Sequence, residues 1–256
     1  MTKLTACICA HNEERHLGAC LEQLKFCDQV VVALDKCTDR SKEIALAHGA
    51  TIVEGAWATW GERRDASNTP ATGDWCLEVD ADERIPPELA AEIRRTIETT
   101  SFDYHLIPVD NFVGERLVRY GWGAAWGKSA HVALYRRGYK HWGRNYSHPK
   151  VKMDGSKGPM LEGRIQHKVD DDISDMIHRL DRYTTELALD LRHNWAQGKP
   201  KDPMRRWVGR FFARFYKTYV LRKGYKEGGY GVLIALMAAI YPILSYLKAT
   251  LEDGKK

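Results

Sequence analysis

An apolar run closes on three acids in the stretch WCLEVDADE, residues 75–83, where Asp80, Asp82 and Glu83 follow one another. On a strand, residues two apart point to the same side, so Asp80 and Asp82 project together if the strand persists. Carboxylates held that close repel unless a cation sits beside them. Mg²⁺ and Mn²⁺ take oxygen ligands, keep waters, and combine one or two carboxylates with phosphate oxygens. The spacing suits a seat for a metal–diphosphate. The competing role is capping the helix that starts near Pro86. Upstream, Arg63 and Arg64 read by themselves as a solvated helix face.

The flanking elements decide whether those acids meet anything. Residues 3–10 read as a strand, and 12–26 as a helix with Asn12 at its N-cap. A buried strand at 28–34 precedes a helix at 38–50 that ends at Gly49. A strand at 51–55, a helix at 60–71, a strand at 74–80 and a proline-opened helix at 86–99 complete the pattern. This alternation predicts an α/β fold, a doubly wound, Rossmann-like, mostly parallel sheet whose ligands lie beyond the carboxyl ends of the strands. The loops there carry His11–Glu14, Asp35–Asp39 and Asp80–Glu83, so three polar clusters converge on one edge.

Residues 101–170 differ. Strand-like segments at 102–114, 131–138 and 163–169 alternate with turns rich in glycine and tryptophan, the pattern of a mixed-sheet extension. A long helix follows from residue 170. Between Lys199 and Lys226 stand ten Lys or Arg and one acid, Asp202. Trp207, Phe211, Phe212, Phe215 and Tyr219 share one helical sector beside Arg206, Arg210, Arg214 and Lys217, the pattern of a helix lying on anionic lipid. Gly228–Leu247 is uncharged but holds three glycines, Pro242 and three tyrosines, which favours an interfacial or packed helix over a span. Bulky aromatics at helical spacing argue against a nucleic-acid-reading module.

Four of these stretches resemble the nucleotide-sugar-dependent, inverting glycosyltransferases of family two with the GT-A fold: CICAHNEERHLGACLEQL, VVALDKCTDRSKEIALAHGA, GERRDASNTPATGDWCLEVDADERIPPEL and, near the end, RKGYKEGGYG. The last is similar to the tail of the subgroup that includes lipopolysaccharide core β-1,4-glucosyltransferases. The resemblance implies a nucleotide-sugar-binding half over 1–100, an acceptor-binding half over 101–170 and a helical extension over 171–256 that associates with membrane. It implies donor contacts from Ala10, His11, Glu13, Asp35, Arg64 and Asp80, and a Mg²⁺ or Mn²⁺ ion on Asp82 with Asp80 and His167. The subgroup carries a V-H-E-like segment where this chain reads NYSHPKV, so His148 matches but Pro149 stands in place of the glutamate. His148 and Asp110 are therefore the candidate bases, with Asp154 and Glu162 as further options. Trp122 and Trp126, set among glycines, are candidates for stacking on an acceptor sugar.

The implied activity is transfer of a hexose, glucose from a UDP-sugar, to lipopolysaccharide core or another lipid-linked saccharide, by a peripheral enzyme on the cytoplasmic face of the inner membrane. GDP-mannose as donor and a non-catalytic nucleotide-binding or membrane-scaffold protein are the rival readings. Composition fits a globular protein: 256 residues, 44% hydrophobic, 29% charged, net charge +5. All six cysteines lie within the first 76 residues without a C-x-x-C pair, which points to reduced, buried thiols rather than a zinc site. The N-terminal apolar run is too short for a secretory signal.

Overall fold

The computed structural model describes residues 1–123, 127–144 and 150–252. These form two compact units, one of residues 1–110, 130–144 and 150–168, the other of residues 111–123, 127–129 and 169–252.

The first unit is built on alternation. In β1 (Leu4–Ala10) the residues Leu4, Ala6, Ile8 and Ala10 face one side and join a core with Leu17 and Leu21 of α1 (Leu17–Glu22) and Leu89, Ile93 and Ile97 of α4 (Pro87–Thr99). Cys7 faces the other side and packs with Cys76, Tyr135 and Trp142. β2 (Gln29–Asp35), β3 (Thr51–Gly55) and β4 (Trp75–Asp80) run parallel with β1, in the order β3-β2-β1-β4. The crossovers are α1, α2 (Ser41–Ala47) and α3 (Trp60–Asn68); α2 ends where Gly49 takes φ 72°. α3 opens with a capping box between Thr59 and Glu62.

Beyond β4 the sheet turns antiparallel. The order continues through β8 (Ala130–Arg136), β6 (Tyr104–Val113), β11 (Ile165–Asp170) and the short β5 (Glu83–Arg84). A separate hairpin pairs β9 (Lys140–Trp142) with β10 (Val151–Met153). This is the expected α/β architecture: a parallel half continued by a mixed sheet.

Two local expectations are corrected. Helix α1 begins at Leu17, not near residue 12. Asn12 is no N-cap: it adopts φ 56°, and its Oδ1 accepts a hydrogen bond from the Thr38 amide at 2.8 Å. The strand carrying the acids ends at Asp80, and Ala81–Asp82 form a turn. The turn is closed by Glu83, whose Oε2 accepts from the Asp80 amide at 2.9 Å, so Asp80 and Asp82 do not share one strand face.

In the second unit the end of β6 pairs with β7 (Arg116–Val118), and three helices follow: α5 (Ile173–Ala196), α6 (Met204–Tyr216) and α7 (Gly229–Leu251). Asp172 caps α5 through the Asp175 amide at 2.9 Å. Met176 and Leu180 of α5 pack with Ile234, Met237 and Tyr241 of α7. Trp207 of α6 stacks on Tyr246 of α7 at 5.1 Å between ring centres. α7 is the one helix among the described residues long and apolar enough to cross a bilayer, and half of its apolar window is buried against the unit itself.

Candidate active site

The carboxyl ends of β1, β2 and β4 are stitched together by polar contacts. After β1, the His11 ring bonds the Asp35 carbonyl at 2.5 Å, and the Glu13 amide donates to Ser41 Oγ at 2.8 Å. The Glu14 amide donates to Asp39 Oδ2 at 2.9 Å. Asp35, at the end of β2, accepts from the Trp57 amide at 3.2 Å and faces Arg63 Nη1 at 3.4 Å. Arg63 in turn lies over the Trp60 ring at 4.8 Å. Ala10, His11, Glu13 and Asp35 thus sit on one edge of the sheet.

β4 supplies the second half of the site. Its alternation sends Trp75, Leu77 and Val79 into the core under α1 and α4, and Cys76, Glu78 and Asp80 toward α3. Arg64 of α3 meets the two acids: its Nη2 lies 2.5 Å from Asp80 Oδ1 and its Nη1 lies 3.9 Å from Glu78 Oε1. Lys140 of β9 completes the group, with Nζ 2.7 Å from Glu78 Oε2. Arg64, Glu78 and Lys140 are all under 10% exposed. Burial alone would raise the Glu78 pKa, but Arg64 and Lys140 outweigh it and hold the carboxyl below its ordinary range. Arg64 is likewise penalised by burial, yet Glu78 and Asp80 hold its pKa above the usual arginine value. A side chain at position 61 would put its Cβ 2.2 Å from the Gly143 carbonyl oxygen, so Gly61 lets α3 ride directly on the end of this hairpin.

On the other side of the Asp80–Glu83 turn, β11 pairs with β5 so that His167 stands opposite Glu83. His167 Nε2 then lies 3.3 Å from Asp82 Oδ2. Glu83 is fully buried, with His131 Nε2 3.9 Å from its Oε1. The Asp82–His167 pair offers one oxygen and one nitrogen. Neighbouring ligands on an octahedral ion with bonds of about 2.1 Å stand about 3.0 Å apart, so the observed separation fits two adjacent ligands. Among the described residues no three His, Cys, Asp or Glu form a complete metal cluster. A divalent ion here would draw its other ligands from water and phosphate, the usual arrangement for Mg²⁺.

The remaining predicted residues are dispersed. Asp110 is held by Arg164, Nε to Oδ1 2.7 Å. Asp154 pairs with His141 at 2.7 Å and with Lys152 at 3.3 Å on the surface. Glu162 is exposed. Trp122 is no open stacking platform: it is 6% exposed in the core of the second unit, its indole donates to the Val118 carbonyl, and Gly127 backs onto its ring. Trp126 and His148 lie outside the described residues. Glu78, His131 and Lys140 have no place in the sequence reading, and Glu83 enters it only as the third acid of the run. For Glu78 a signal existed, since a carboxylate inside an apolar strand needs a buried cation. Lys140, on a three-residue strand, carried none. The six cysteines form no disulfide, and burial pushes the Cys27 thiol up to about 12.

Comparison with known proteins agrees with this fold. Staphylococcus aureus TarS (residues 1–349) superposes with a TM-score of 0.52 at 13% identity, covering 98% of this chain and 81% of TarS; the same fragment bound to UDP-GlcNAc gives 0.51. That likeness establishes the GT-A-type fold. The lipopolysaccharide core biosynthesis glycosyltransferase LpsC of Rhizobium meliloti is 22% identical, covering 96% of this chain and 91% of LpsC. An uncharacterized glycosyltransferase of Rickettsia typhi is 28% identical over 107 residues, 41% of this chain but only 37% of the relative. The matched segment thus spans well under two thirds of that protein. Residues 5–148, more than half the chain, match Glycosyl transferase family 2, and the chain belongs to that family of glycosyltransferases.

Proposed function

We propose that this chain is a metal-dependent, inverting hexosyltransferase that moves glucose from a UDP-sugar to a cell-envelope saccharide such as lipopolysaccharide core or another lipid-linked glycan. The observation that carries the reading is the convergence of Asp82 and His167 at 3.3 Å beside Asp80, on the edge where β1, β2 and β4 end. Open α/β sheets bind ligands at that edge. The UDP complexes of TarS and the name of LpsC support the donor and acceptor classes.

In this reading Asp82 and His167 hold a Mg²⁺ or Mn²⁺ ion, and Asp80 shares it or meets the ribose. The ion supplies positive charge to the departing diphosphate. Asp35 and the backbone of Ala10, His11 and Glu13 form the wall for the nucleoside. Arg64 orients Asp80 through the contact of its Nη2 with Oδ1. Inversion is one in-line displacement, so a base must take the acceptor hydroxyl proton on the face away from the diphosphate. His148 is assigned that role, since an unperturbed imidazole is largely neutral at physiological pH. Asp110 is the second candidate, although Arg164 already engages one of its oxygens.

The second unit supports peripheral attachment to the cytoplasmic face of the membrane. Met204, Val208, Phe212 and Tyr216, spaced by four, form an exposed apolar stripe along α6, with Arg205, Arg206 and Lys217 exposed beside it. Apolar side chains flanked by cations suit an anionic lipid surface.

Calorimetric titration with UDP and with GDP, each with and without Mn²⁺, tests the reaction. Metal-dependent heat with UDP is expected. Heat with GDP alone reassigns the donor to a GDP-sugar. Silence with both nucleotides overturns the enzymatic reading in favour of a scaffold.

A further inference from the structure

Four charges of alternating sign run through the interior of the first unit: Lys140, Glu78, Arg64 and Asp80. The links measure 2.7 Å from Lys140 Nζ to Glu78 Oε2, 3.9 Å from Glu78 Oε1 to Arg64 Nη1, and 2.5 Å from Arg64 Nη2 to Asp80 Oδ1. Three of the four residues are more than nine-tenths buried, and Asp80 is 28% exposed. The first three therefore act on solvent and ligands through the fourth. Lys140 is itself fixed: it donates a second bond to the Val132 carbonyl at 2.7 Å and lies about equally far from the Tyr135 and Trp142 rings, at 5.1 and 5.2 Å.

The link at Arg64 is unequal. Nη2 makes a short, charged hydrogen bond to Asp80, while Nη1 is buried without a hydrogen bond and has Glu78 as a distant ionic neighbour. One guanidinium thus stands between two carboxylates and is bonded to one of them. Its balance depends on how strongly each carboxylate attracts it. Lys140 satisfies Glu78 from the far side and so weakens the pull of Glu78 on Arg64.

We propose that Lys140 and Glu78 are positioning residues that set how firmly Arg64 holds Asp80, and thereby how strongly Asp80 serves a divalent cation at the donor site. The proposal rests on the donor-site reading above. Its chemistry is competition: Arg64 and the cation are both positive and both seek the Asp80 carboxylate. Without Glu78, Arg64 has no second carboxylate and belongs wholly to Asp80, and the interior carries an extra positive charge. Without Lys140, Glu78 draws Arg64 away, Asp80 is released, and the interior carries an extra negative charge. The two changes push cation affinity in opposite directions. Removing both charges restores neutrality and the Arg64–Asp80 pair.

The experiment is a Mn²⁺ titration followed by electron paramagnetic resonance, at fixed UDP, on the full chain and on Glu78→Gln, Lys140→Met and the double variant. One buried unit charge this close shifts affinity by about tenfold. Glu78→Gln is expected to bind Mn²⁺ about tenfold more weakly, and Lys140→Met about tenfold more tightly. The double variant is expected to return to within about threefold of the parent. A purely structural role would lower thermal stability in all three and give no change of sign. Shifts in the same direction, or no shift in either single variant, overturn the proposal. Glu78→Gln is near-isosteric, and it keeps the comparison with the parent decisive if Lys140→Met does not fold. Failure of the parent itself to bind Mn²⁺ with UDP overturns the donor-site reading instead, and the two failures are thereby told apart.

Discussion

His167 Nε2 lies 3.3 Å from Asp82 Oδ2, although the two residues stand on separate segments of the first unit's sequence. The pairing of β11 with β5 brings them together, and the Lys168 amide bonds the Asp82 carbonyl at 3.0 Å to fix the register. If the pair holds the ion, Asp82→Asn should lower Mn²⁺-dependent UDP affinity at least about 100-fold, because even outer-shell partners of a ligand are worth about 10–100-fold. His167→Ala, which removes the second proposed ligand, should lower it by at least about 10-fold. Calorimetry reads both, and circular dichroism should show the fold retained. Undiminished metal-dependent binding by Asp82→Asn would refute the assignment.

Arg64 separates structural from surface electrostatics. Replacing it with Met strands Glu78 and Asp80 beside one another with one cation fewer, and removal of one partner from a buried pair costs about 3–5 kcal/mol. A drop of that size in urea-unfolding free energy is expected. Arg40 pairs with Glu43 on the surface, both side chains mostly exposed, and Arg40→Ala should leave the urea midpoint unchanged.

Helix α6 carries a buried aromatic, Trp207, and exposed ones, Phe212 and Tyr216. Trp207 is 5% exposed and stacked on Tyr246, so Trp207→Ala should cost about 3–5 kcal/mol of stability. Phe212 is 66% exposed, and Phe212→Ser should leave stability untouched while weakening sedimentation with phosphatidylglycerol vesicles. Equal vesicle binding by parent and Phe212→Ser would remove α6 from the membrane contact.

Acid should loosen the first unit in a defined window. Asp28 is held below the ordinary aspartate value by the Leu4 amide, which bonds it at 2.8 Å, and by Arg94. A carboxyl whose pKa is lower in the folded state stabilises fully above its unfolded value and loses that contribution as pH falls through the folded one. The unfolded value is near 3.8, so urea midpoints should decline as pH drops below about 4.5, reaching into the lower folded value. Asp28→Asn should flatten that decline, and an unchanged slope would show that other carboxyls account for it.

The parallel half was legible because its strands obey simple rules. β1, β2 and β4 are apolar runs of strand length, and α4 announces itself with Pro87 in its first turn. Helix α1 was overextended because nothing in NEERH forbids a helix; the left-handed Asn12 is held by Thr38, a tertiary contact that propensity cannot express. The Asp80–Asp82 relation was misdrawn for a similar reason. The acid that ends the strand is Glu83, reaching back to the Asp80 amide. His167 was placed by resemblance, and the structure supplies the reason for its position. Trp122 looked like a loop platform because its glycine neighbours suggested openness. Those glycines instead allow the chain to close over the ring, as Gly127 does.

The chain Lys140–Glu78–Arg64–Asp80 means that the same atoms hold the first unit together and shape the place where chemistry is proposed. Directed evolution for heat resistance should therefore find few solutions along that row. An apolar replacement of Glu78 alone or of Lys140 alone would retune ligand affinity, whereas helix ends and surface loops can be improved without touching turnover.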